Sequence, residues 1–331
     1  ATMVYEADAI VAFGGGAVTH FGPADRIAPQ LPAGLPVRDY GRDALISAGF
    51  LDSHVHFPQV PMIGAFGEQL LDWLNKYTYP TERKFADRAF AASVAKVFLQ
   101  ECLRNGITTS CVYCTVFPQS VEALFEEAER LGMRIAAGKV LMNRNAPDYL
   151  LDTTQSGYDD SKALIRKWHG RDRLMYAITP RFAPTSTREQ LEAAGALCQE
   201  HPDCYLQTHI SENRSEVAWV RELFPERNGY LDVYDHYSLC RPRAVFGHGI
   251  HLTDDELHRM HRTGSAIAHC PTSNFFLGSG HFNLHRARHK DRSVRVGLGT
   301  DRTAPPAPHA LPSRAEEPGI DAPPLAVERT V

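Results

Sequence analysis

From residue 49 to residue 300 the chain alternates short apolar runs with stretches of helical periodicity, and that rhythm leaves few folds open. Apolar runs bounded by turn signals read as buried strands. Eight can be drawn, at 49–54, 107–114, 134–141, 174–179, 204–209, 244–248, 265–269 and 294–300. Between them lie amphipathic stretches: in the segment 121–130, Val121, Leu124, Phe125 and Ala128 share one helical face, and 187–197 behaves similarly. Alternating strand and helix units imply a parallel sheet, and eight of them predict an α/β fold, the (β/α)8 TIM barrel. Residues 1–45 read instead as short strands, Ala9–Phe13 and Ala17–Phe21 around Gly14-Gly-Gly16, a small N-terminal β-sandwich portion. The predicted organisation is therefore 1–45, a barrel over 46–301, and a separate segment at 302–331.

The ends of these strands carry the side chains that a single metal ion needs. His54 and His56 stand in Asp52-Ser-His-Val-His56, His209 ends Gln207-Thr-His209, His248 lies in Phe246-Gly-His-Gly249 and Asp301 closes Gly297-Leu-Gly-Thr-Asp301. With 16 histidines in 331 residues, a His-x-His arises about once by chance, so the pair alone decides little. A lone His209 or His248 is more often a hydrogen-bonded core residue, and Glu212 could equally open a helix as an N-terminal carboxylate. Order is what counts, because catalytic groups of a barrel sit where strands end, so distant residues converge on one mouth. The strand period of two puts His54 and His56 on a common face, and puts Asp301 on the face of Gly297 and Gly299, away from Val294, Val296 and Leu298. Small neighbours on that face would leave room for an ion. Neutral imidazole and carboxylate suit zinc, which lowers the pKa of bound water to about 7. Glu212, three residues past His209, is placed to move a proton.

The rest of the composition sets bounds. A formal charge of −4 argues against a surface built to bind nucleic acid. No apolar run approaches the roughly 20 residues of a membrane helix, and Ala1-Thr-Met-Val-Tyr-Glu6 lacks the blocks of a signal peptide, so the reading is cytoplasmic. Seven scattered cysteines read as reduced core thiols, with Cys111 and Cys114 on opposite sides of one strand. His258, His261, His285 and His289 read as surface residues.

Longer segments are similar to a known family, the guanine deaminases of the zinc amidohydrolase superfamily. The resemblance rests on Ser53–Gln59, Glu68–Glu82, Gly138–Asp148, Ile178–Pro184, Thr208–Asn213, Ala268–Asn274 and Gly297–Asp301. Trp73-Leu-Asn-Lys-Tyr77 and Thr179-Pro-Arg-Phe182 are more specific than the metal pattern. The resemblance implies a barrel of the metal-dependent hydrolase type and hydrolysis of guanine to xanthine and ammonia. By position, His54, His56, His209 and Asp301 would hold one zinc ion per chain, with iron compatible with the same ligand types. His248 would orient the attacking water, Glu212 would carry protons to the ring nitrogen, and Asp301 would take the proton of the water. Gln59, Trp73, Arg181 and Phe182 would contact the purine, Arg181 by paired donors to a carbonyl oxygen. A buried Arg181 also requires a partner. Family members are commonly homodimers. The rival readings are another amidohydrolase acting on a related aminopurine, pteridine or triazine, and an inactive remnant that binds metal.

After Asp301 the resemblance stops. Residues 302–331 hold seven of the 22 prolines, a composition that reads as a disordered tail. Its Pro, Ala and Arg bias suggests a shifted reading frame or a truncation, with the C-terminal part of the fold missing. Two expectations follow: Val294, Val296 and Leu298 lose their covering layer, and turnover is impaired.

Overall fold

The computed structural model describes residues 4–41, 43–65 and 70–301. The tail reading for 302–331, and with it the missing C-terminal part, lies outside the described residues. The chain divides after Ala48 into two compact units. In the first, strands β1 (Ala9–Gly14) and β2 (Ala17–Pro23) form an antiparallel hairpin. A one-turn helix, Ala24–Ile27, follows and buries Ile27.

The second unit is a parallel barrel. Its strands are β3 (Phe50–His56), β4 (Ile107–Tyr113), β5 (Arg134–Gly138), β6 (Val140–Leu141), β7 (Met175–Pro180), β8 (Tyr205–Ile210), β9 (Ala244–His248), β10 (Ala266–His269) and β11 (Arg295–Leu298). The hydrogen-bonded order is β3-β4-β5-β7-β8-β9-β10-β11, all neighbours parallel. The short β6 resumes the line of β5 after Lys139 and pairs with β7, so β5 and β6 together make one of eight staves. Between β11 and β3 the ring is joined by side chains and loop backbone. Ser53 Oγ donates to the Leu298 carbonyl at 2.7 Å, Thr300 N to Asp52 Oδ1 at 2.9 Å, and Asp301 N to the His54 carbonyl at 3.0 Å.

Helices return the chain between strands, and their starts follow local chemistry. Asp87 accepts from Ala89 N and Phe90 N to open Arg88–Arg104, and capping boxes at Thr153/Ser156, Asn213/Glu216 and Thr253/Glu256 open three more. Each satisfies N–H groups that the helix leaves without partners, worth about 1 kcal/mol per cap. The expected helix face is buried, with Val121, Leu124, Phe125 and Ala128 all in the core. Cys111 and Cys114 have different surroundings: Cys111 Sγ, within β4, reaches Gln207 Oε1 inside the barrel, while Cys114, just past the end of β4, packs in the hydrophobic core. Among the described residues no helix is long and apolar enough to cross a membrane.

Two expectations at the last strand need correction. The strand ends at Leu298, not at residue 300. Only Leu298 is left open to solvent, at 65% exposed, whereas Val294 is buried at 1% and Val296 packs against the core. The strand's start is covered by the barrel's own core, so the lack of covering is confined to its end.

Candidate metal centre

The period of two along β3 carries His54 and His56 to the C-terminal mouth of the barrel. There they meet His209 from the end of β8 and Asp301 from the loop after β11. His56 Nε2 and His209 Nε2 lie 3.0 Å apart, and Asp301 Oδ1 lies 3.7 Å from both His54 Nε2 and His56 Nε2. Ligand atoms about 2.1 Å from one tetrahedral centre are separated by roughly 3.4 Å, so this spacing suits a shared cation. The proton positions suit it too. His209 Nδ1 donates to the Arg181 carbonyl at 2.7 Å, which pins the proton on Nδ1 and turns the Nε2 lone pair toward the cluster. His54 Nε2 is buried without a hydrogen-bond partner. Burial, reinforced by the neighbouring imidazoles, holds His54, His56 and His209 well below the usual histidine range. All three are therefore in the neutral form that binds metal.

His248 stands beside this set with its backbone in the left-handed region, φ 70°, a conformation that costs a non-glycine residue about 1 kcal/mol or more. Its Nδ1 is 2.9 Å from Asn274 Oδ1, and its Nε2 is 3.4 Å from Glu212 Oε2 and 3.6 Å from Asp301 Oδ2. Burial opposes the imidazolium, but the two carboxylates prevail and raise His248 above its usual value. Burial pushes Glu212 up to about 7, against the pull of His248, and raises Asp301. Glu212 is not the helix-opening carboxylate. That role falls to Glu216, which accepts from Glu212 N at 2.8 Å and Asn213 N at 3.1 Å. Glu212 is 3% exposed and faces the mouth.

The expected contact residues come together as well. Gln59, Trp73, Arg181 and Phe182 line one cleft with His56, His209, Glu212, His248 and Asp301. Trp73 Nε1 and Gln59 Oε1 are buried there without partners, a donor and an acceptor for a polar guest. The partner that a buried Arg181 requires is Glu82, whose two oxygens lie 2.9 and 2.8 Å from Arg181 Nη1. The requirement for an anionic or carbonyl partner was legible, but nothing in the local pattern selects Glu82 from the 39 acidic residues. Tyr113, stacked on His56 at 4.4 Å, and Asn274 were missed for the same reason. His258, His261, His285 and His289 are exposed.

Gly297 in the last strand and Gly299 just past its end do not make room for an ion. A Cβ at Gly297 would lie 2.8 Å from Ser53 Oγ, and one at Gly299 would lie 2.8 Å from His54 Cβ and 2.9 Å from Cys270 Sγ. Their missing side chains admit the neighbouring strand and loop.

An amidohydrolase family pattern matches residues 45–315. The chain belongs to the amidohydrolase family. Among its relatives, the guanine deaminase of Escherichia coli is 53% identical over 286 residues, covering 86% of this chain and 64% of that protein. The human guanine deaminase is 34% identical over 271 residues, 80% of this chain and 59% of that protein. This amidohydrolase thus spans somewhat under two thirds of the length of the curated relatives it matches. Among solved structures, E. coli guanine deaminase superposes with a TM-score of 0.86 at 52% identity, covering 89% of this chain and 68% of that one. The C. acetobutylicum guanine deaminase, solved with guanine in its active site, gives 0.78 at 33% identity, covering 82% and 65%. A triazine hydrolase at 21% identity and TM-score 0.71 shares the fold.

Proposed function

We propose that this chain is a guanine deaminase that hydrolyses guanine to xanthine and ammonia with one zinc ion held by His54, His56, His209 and Asp301. The observation that carries the reading is the meeting, in one buried cleft, of the metal cluster with the purine-contact set Gln59, Trp73, Arg181 and Phe182. When bound, the zinc supplies a Lewis acid that makes water nucleophilic at neutral pH; the same ligand types accept iron.

The residues divide the remaining work. Arg181 donates to the ring carbonyl, which adenine replaces with an amine. Trp73 Nε1 and Gln59 Oε1 take the ring's complementary edge atoms, and Phe182 offers an apolar face. Asp301 accepts the proton of the attacking water. His248, oriented by Asn274, holds that water and hydrogen-bonds its oxygen as it adds to the ring carbon. Glu212, raised to about 7, can both give and take a proton near neutrality: it protonates the ring nitrogen and then takes back the proton of the new hydroxyl, while the proton that Asp301 took from the water passes to the departing amine.

Metal analysis of the purified chain with a coupled ammonia assay tests this. The expected result is one metal per chain and ammonia from guanine but not from adenine. Metal without ammonia from either base would reduce the chain to a binding remnant, and ammonia from another amine alone would reassign the substrate.

A further inference from the structure

Arg181, which lines the cleft, is held from behind by a buried carboxylate for which none of these roles accounts. Arg181 follows directly on β7, and its Nη1 contacts both oxygens of Glu82. The two side chains are 3% and 1% exposed, and the Tyr79 ring lies 5.6 Å from the guanidinium carbon. Glu82 ends the short helix Tyr79–Glu82 and is followed by the turn Arg83–Ala86. That turn is anchored by Phe85, which is fully buried against Phe57 and Phe90. The carboxylate is thus held by packing.

A guanidinium without such a counter-charge would attract anions most strongly where the dielectric is low. Paired, it keeps its N–H donors while the net charge of the pair falls to zero. We propose that Glu82 is a positioning residue that sets the charge selectivity of the cleft, neutralising Arg181 so that an uncharged planar carbonyl heterocycle is accepted and an anionic one of the same shape is rejected. This deepens the purine reading above and rests on it for the identity of the ring.

The test is a titration of the metal-loaded full chain and of Glu82→Gln with guanine and with urate, an oxopurine anion, following tryptophan fluorescence and ammonia release. In Glu82→Gln the preference for guanine over urate is expected to fall by about tenfold or more, mainly through tighter urate binding. A loss of packing alone would weaken both ligands together, so an unchanged preference overturns the proposal. Should Glu82→Gln not fold, thermal melts of Arg181→Gln and of the double variant decide. Charge cancellation requires the double variant to be more stable than Glu82→Gln, and an additive loss overturns it. Absence of ammonia from guanine with the unsubstituted chain counts against the deaminase reading, while urate binding and the melts still judge Glu82.

Discussion

Gly247 is a position where a very small substitution should damage the candidate metal centre. A Cβ built there would lie 2.6 Å from His54 Cε1 and 2.9 Å from His54 Nδ1. Carbon atoms in contact sit about 3.5 Å apart or more, so Gly247→Ala must drive the His54 ring away by about 0.9 Å. The ring has little space to yield. Tyr113 and His209 stand with their centroids 4.8 Å away, and His56 and His248 at 5.2 Å. Metal–ligand distances tolerate only about 0.2 Å, so the displacement exceeds the tolerance several-fold and removes His54 as a ligand. Apparent zinc affinity should fall by at least about 100-fold, the upper end of what losing an outer-shell partner costs. Overpacking should cost the ion-free chain about 1–3 kcal/mol. Chelator competition gives the affinity, and melts with and without zinc separate it from folding. Zinc bound as tightly by Gly247→Ala as by the unsubstituted chain, with an unchanged melt, would refute the geometry argued here.

Two further substitutions probe different parts of the structure. Glu212→Gln keeps the shape but cannot carry a proton, so it should retain its zinc and lower kcat for guanine by about 10²–10⁴-fold; retained kcat in steady-state assays would remove Glu212 from the chemistry. Lys139 is fully buried and paired with Asp152, which tethers the loop after β6. Lys139→Met leaves that carboxylate without its cation and should cost about 3–5 kcal/mol, and a denaturant midpoint unchanged from the parent would show that the pair carries no stability.

Much of the barrel was legible because its strands are short, apolar and separated by amphipathic helices, and local pattern suffices to read such units. The convergence of the candidate ligands was legible for a related reason: in a parallel barrel every strand delivers its C-terminal residue to one rim, so strand order alone brings His54, His56, His209 and Asp301 together. The Val294–Leu298 face was misread because the periodicity names a side but not what covers it. Glu212 was left between two readings, since a helix-opening carboxylate and one facing the barrel mouth can occupy the same position on the chain. Only the placement of Glu216 four residues later separates them.

Alternation of hydrophobicity and the position of polar residues at strand ends were determined by the sequence itself, and these specify a barrel with a cluster of imidazoles and a carboxylate at its mouth. Tertiary structure alone decided which distant groups touch. Glu82 meets Arg181 across 99 positions of chain, and Gly247 and Gly299 are small because His54, from another strand, occupies the space their side chains would fill. Such pairings depend on close packing between strands, and nothing local to either partner records them.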